Sequence, residues 1–137
     1  MRTICDSEKK ELAVIYGVMD YNDTDKSQFL TNTDESLQAG SLYFHQNAIV
    51  EPHIHRIKNG LTLYPIVELL VILHGEAVID FYDEAKSFIV SAKVVTGDII
   101  LLKRGGHGLS FPDSSVRLLD IRPGNYIDKK TDKEMIR

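Results

Sequence analysis

Two rhythms of apolar residues divide this chain. Between Asp6 and Met19, the residues Leu12, Ile15, Tyr16 and Met19 recur at steps of three and four, the spacing that lines one face of an α-helix. Asp6 or Ser7 suits an N-cap, and Glu8 puts a negative charge in the first turn, where the helix dipole favours it. The spacing predicts one amphipathic helix over 6–19. The segments YNDTDKSQ and TNTDES that follow are rich in turn formers, and beyond them the rhythm shortens to β-type runs punctuated by Gly, Asn, Asp and Pro. Strands are expected at 41–45, 48–55, 66–73, 76–83, 86–95, 98–102, 108–112 and 115–122. His74-Gly75 reads as a hairpin between two apolar runs, and Asp83-Glu84-Ala85 joins the next pair. Short strands joined by tight turns predict a closed barrel or a jelly roll. The expected organisation is a single domain: an N-terminal helix and linker over 1–25, then a barrel over 26–137.

Composition alters this picture only at the margins. The chain has 137 residues, 43% of them hydrophobic and 26% charged, which suits one soluble domain able to bury a core without staples. A net charge of −4 offers no electrostatic case for nucleic acid, and no helix-turn-helix segment is attached. The partner expected is therefore a small molecule or a protein. Cys5 is the only cysteine, so no internal disulfide can form. The N-terminus reaches charge too early for a secretion signal, and no apolar run approaches the roughly 18 residues of a membrane span. A cytoplasmic setting is expected. The charged ending KKTDKEMIR reads as a solvated tail.

The chemistry is concentrated in histidines. VEPHIH places His53 and His55 two apart, so on an extended strand both imidazoles reach one face. Glu68 opens the run ELLVILHG, and His107 falls at the end of GDIILLKRGGHG. Three imidazoles and a carboxylate suit Fe, Mn, Ni or Zn as a single divalent ion. Of the remaining histidines, His74 reads as exposed turn chemistry. His45 shares a strand face with Tyr43, and both are candidates for substrate contact. Arg56 after the histidine pair and Arg104 before His107 are candidate anion contacts, with Lys103 and Arg122 as further cations near strand ends.

His-x-His, a later Glu, and a hairpin glycine seven residues after that Glu resemble the first motif of the cupin superfamily. Gly97 to His107, with Gly105 in place, resembles the second. The resemblance implies a cupin double-stranded β-helix in which His53, His55, Glu68 and His107 hold one metal inside the barrel, with open positions for a substrate. Two departures stand out: the twelve residues RIKNGLTLYPIV separate His55 from Glu68, longer than the usual interval, and Lys103 replaces the usual proline. The inserted loop, 56–67, is itself a place where function could reside. VEPHIH, VELLVILHG and LLDIRPGNYIDKKTDKE also resemble the narrower WbuC-type cupin metalloproteins, with Pro123, Gly124, Tyr126 and Thr131-Asp132-Lys133 carrying the match. That resemblance implies surface polysaccharide metabolism and a sugar or nucleotide-sugar ligand, or else a small oxyacid. The cupin resemblance also implies a homodimer. Three activities stay open: a metal-dependent isomerase, epimerase, hydrolase or dioxygenase; a non-catalytic binding module; and a metal-free sugar isomerase or epimerase with a histidine base.

Overall fold

Alternating side chains on short strands give this chain two facing sheets. The computed structural model describes residues 1–22, 25–55, 67–124 and 133–137. The first described strands are β1 (Arg2–Cys5) and β2 (Glu11–Ile15), followed by α1 (Val18–Asn22) and β3 (Gln28–Phe29). The barrel strands are β4 (Leu37–Phe44), β5 (Ile49–His55), β6 (Glu68–His74), β7 (Glu76–Tyr82), β8 (Phe88–Val95), β9 (Ile99–Leu102), β10 (Gly106–Ser110), β11 (Val116–Pro123) and β12 (Lys133–Met135). One sheet runs β12-β5-β10-β7-β8 and the other β3-β4-β11-β6-β9, with every pairing antiparallel. From β4 onward, consecutive strands alternate between the sheets except at the β7-β8 hairpin, as a jelly roll requires. That hairpin turns at Asp83-Glu84-Ala85 as expected. His74-Gly75 differs: it passes the chain from β6 in one sheet to β7 in the other, so the turn there is a crossing between layers instead of a hairpin.

The helix expected over 6–19 is not what forms. Residues 2–15 make an antiparallel hairpin, Arg2 opposite Ile15 and Ile4 opposite Ala13, and the helix is confined to Val18–Asn22. Asp6 decides this. Its Oδ1 accepts the backbone N–H groups of Glu8 and Lys10 at 2.8 and 2.9 Å, closing a turn in which Lys9 takes a φ of 62°. A short carboxylate that could cap a helix serves equally to cap a turn, and Thr3, Ile4, Val14 and Ile15 favour strands.

The core lies between the sheets. Leu70 and Ile72 from β6, Ile79 from β7, Leu109 from β10, Val116 and Leu118 from β11, and Phe111 just past β10 are all buried. Phe111 stacks on Phe44 with ring centroids 4.6 Å apart and planes 13° apart. The solvated tail is also corrected: Lys133, Glu134 and Met135 pair with His55, Ile54 and His53, and the Ile136 N–H donates to the Pro52 carbonyl at 2.9 Å. Among the described residues no helix is long and apolar enough to cross a membrane.

Candidate metal centre

Two neighbouring strands deliver the three histidines. On β5 the two-residue period turns His53 and His55 to the same inner face, and β10 places His107 directly opposite His53. The approach to His107 depends on Gly105, whose φ of +75° and contact with the Tyr82 carbonyl leave no room for a side chain. The imidazole centroids lie 4.9 Å (His53–His55), 4.7 Å (His53–His107) and 5.7 Å (His55–His107) apart. One nitrogen from each ring falls within 4.8 Å of the others, a group able to hold a metal ion.

Glu68 arrives from the opposite sheet. Its Oε2 lies 3.0 Å from His55 Nε2 and 3.3 Å from His107 Nε2, and the residue is only 4% exposed. The long segment between His55 and Glu68 therefore does not displace the carboxylate. Burial would raise its pKa, but contacts with His55, His107 and Asp120 outweigh that and hold it well below the usual carboxylate range.

The protonation pattern favours open lone pairs. His53 Nδ1 lies 2.7 Å from the Glu51 carbonyl, which can only accept, so Nδ1 carries the proton and Nε2 presents its lone pair. Such second contacts orient metal-ligating imidazoles. Burial, with Lys133 and His107 nearby, lowers the His53 pKa to about 3. His107 is lowered to about 4, chiefly by burial and against the pull of Glu68. Both rings are neutral at pH 7, the form a metal needs. His53 Nε2 and Asp120 Oδ1 are buried with no hydrogen-bond partner among the described residues. Orphaned polar atoms of this kind call for an explanation, and a shared cation supplies one.

The sequence expectations divide clearly. His53, His55, Glu68 and His107 converge. Tyr43 and His45 do not: Leu42 and Phe44 of the same strand line the cavity, so Tyr43 lies on the other face of β4, with His45, just beyond the strand, edge-on to it at 5.1 Å. There the Arg117 guanidinium sits 5.3 Å from the Tyr43 ring centroid and donates to Ser41 Oγ and the Tyr21 carbonyl. Arg104 lines a separate shallow depression with Tyr82 and Asp83. Arg56, Tyr126, Thr131, Asp132 and all but Val67 of the inserted loop lie outside the described residues.

Asp120, Lys133 and Met135 were missed. All three line the cavity of about 300 Å³ beside the histidines. Burial and the neighbouring Glu68 raise the Asp120 pKa to about 7, and its protonated form hydrogen-bonds Glu68. Its signal was present: in SVRLLDIR, Asp120 shares the inward face with Leu118.

No family model and no curated protein matches the chain by sequence. Solved structures do match by shape. A single-site variant of oxalate decarboxylase from Bacillus subtilis superposes with a TM-score of 0.60 at 17% identity, over 80% of this chain and 27% of that one. A cupin superfamily protein from Desulfitobacterium hafniense gives 0.53 at 21%, over 72% and 75% respectively. The coconut allergen cocosin gives 0.53 at 13%, over 65% and 22%. The chain thus spans about a quarter of the decarboxylase and of cocosin. At these identities the similarity speaks for architecture: the chain has the cupin jelly-roll fold.

Proposed function

We propose that this chain is a metal-binding cupin whose ion, held by His53, His55, Glu68 and His107, acts on a small oxygen-bearing molecule in the adjoining cavity. The observation that carries this reading is the convergence of one nitrogen each from His53, His55 and His107 within 4.8 Å, with the Glu68 carboxylate beside them and His53 Nε2 buried without a partner among the described residues. A divalent ion there would supply Lewis acidity, polarising a carbonyl or hydroxyl oxygen for isomerisation, epimerisation or hydrolysis, or would bind dioxygen if it were Fe(II). The chain's own residues prepare the site. The Glu51 carbonyl sets the His53 tautomer, and Asp120 holds a proton against Glu68. Leu42, Phe44, Leu70, Leu109 and Leu118 give the cavity part of an apolar lining.

A metal-free isomerase with a histidine base fits less well, because pKa values near 3 and 4 leave His53 and His107 poor bases at neutral pH. The polysaccharide setting belongs to the reading through the WbuC-type resemblance alone. Pairing of two copies belongs to it too, and β8, an edge strand with exposed Phe88, Ile89 and Val90, offers a surface for it.

Elemental analysis of protein purified without chelator or added metal tests the proposal. About one transition-metal ion per chain is expected, falling below a tenth in His53→Ala and His107→Ala variants that keep the β-type circular dichroism spectrum. Unchanged metal content in both variants would refute the ligand assignment.

A further inference from the structure

A histidine that ligates an ion needs a lone pair on the nitrogen facing it and carries its proton on the other nitrogen, which then donates to an acceptor. His53 has this arrangement, with the Glu51 carbonyl 2.7 Å from its Nδ1. His55, two residues on, has the reverse. Its Nδ1 lies 3.4 Å from Nη1 of Arg122, and a guanidinium can only donate. Nδ1 of His55 is therefore the acceptor, and the ring proton sits on Nε2, the nitrogen turned to the centre, 3.0 Å from Glu68 Oε2. A neutral imidazole cannot accept from Arg122 at Nδ1 and offer a lone pair at Nε2 at the same time.

Strand alternation brings the guanidinium here. On β11, Leu118, Asp120 and Arg122 stand two apart, so all three share the inward face, and the first two line the cavity. The Arg122 charge is also felt at His107 and at Asp120.

We infer that Arg122 competes with the metal for His55. In the metal-free protein a chain of contacts runs from Arg122 through His55 to Glu68 and holds His55 in the tautomer that cannot ligate. Arg122 must release Nδ1 before His55 serves as a ligand. The proton then leaves Nε2 and one is taken up at Nδ1, so the ring stays neutral and no proton is gained or lost overall. This inference rests on the metal site proposed above and names a positioning residue within it. Its sign is distinctive: removing an ordinary second contact from a metal-bound histidine weakens binding about 10–100-fold, whereas removing Arg122 strengthens it. Repulsion between the guanidinium and a divalent cation acts in the same direction.

Two measurements test the inference: zinc affinity by competition with a chromophoric chelator, and histidine tautomers by nitrogen-15 resonance. In the metal-free parent, His55 should carry its proton on Nε2 and His53 on Nδ1, and zinc should move the His55 proton to Nδ1. Arg122→Gln, whose side-chain carbonyl can accept from Nδ1, should bind zinc at least fivefold more tightly than the parent and show the Nδ1 tautomer at His55 before zinc is added. Arg122→Lys, which keeps a charge and a donor, should gain less than Arg122→Gln. A proton on His55 Nδ1 in the metal-free parent, a gain under fivefold in Arg122→Gln, or an equal gain in Arg122→Lys overturns the inference. The parent's own tautomers decide the contact even where a variant fails to fold. Any of these results in a parent that binds zinc leaves the metal site standing and sinks this inference alone, while no zinc binding in parent or variants sinks both.

Discussion

Replacing Phe111 by alanine tests the link between the core and the cavity. Phe111 has no exposed surface and stacks on Phe44, which lines the cavity. Truncating a fully buried phenylalanine removes its transfer free energy and leaves a void, at a cost of about 3–5 kcal/mol, and the stacked pair with Phe44 puts this site toward the middle or top of that range. We take about 4 kcal/mol from that range. With 137 residues and roughly 2.1 cal/mol/K of unfolding entropy per residue, the unfolding entropy is about 290 cal/mol/K. One kcal/mol then corresponds to about 3.5 °C, and the variant should melt about 14 °C lower. Thermal unfolding of metal-free protein followed by circular dichroism measures this, and Phe111→Leu should lose a third of that or less. Because Phe111 is not among the residues that line the cavity with the histidines, the metal content of folded Phe111→Ala should match the parent's. A fall of under about 4 °C, roughly 1 kcal/mol, would show that Phe111 does not anchor the core.

Two further outcomes follow from the same structure. In metal-free protein, His53 and His107 have folded pKa values near 3 and 4 against 6.5 for the free side chain, so the unfolded chain binds more protons and the stability present above pH 6.5 is lost as pH falls. Asp120, raised to about 7 from 3.8, runs the other way: its contribution is full below 3.8 and is lost as pH rises through 7. Two histidines outweigh one carboxyl, so urea titrations in chelator should show stability falling by about 1 kcal/mol per unit between pH 6 and 5, and more steeply in Asp120→Asn. A flat profile would contradict the burial of the histidines. Gly75→Ala should cost on the order of 2 kcal/mol or more in the same titration, because Gly75 has a φ of +88° and a Cβ there would stand 2.5 Å from the Ser115 carbonyl. A cost under roughly 0.5 kcal/mol would mean that this turn is not so tightly drawn.

Much of this molecule was legible in its residue order, because strand alternation and turn residues are local signals. The eight expected strands all form within a few residues of their predicted limits, from Leu37–Phe44 to Val116–Pro123. His-x-His on one strand could only project both imidazoles to one side, and β5 does so. The N-terminal hairpin escaped because Asp6 supports a turn and a helix cap with the same atoms, and only the pairing of Arg2–Cys5 with Glu11–Ile15 decides between them. Tyr43 and His45 were placed together correctly, but which face of β4 is inside depends on what the opposite sheet covers. Position 120 shows the limit most clearly. An aspartate among leucines is visible in the sequence, yet its pairing with Glu68, some fifty residues earlier, exists only because β11 and β6 lie side by side. Likewise Lys133 follows a charged stretch that reads as solvent-facing, and only its ladder with β5 brings it to the histidines. Local order determined the elements and the ligand types; long-range pairing determined which charges share one buried space.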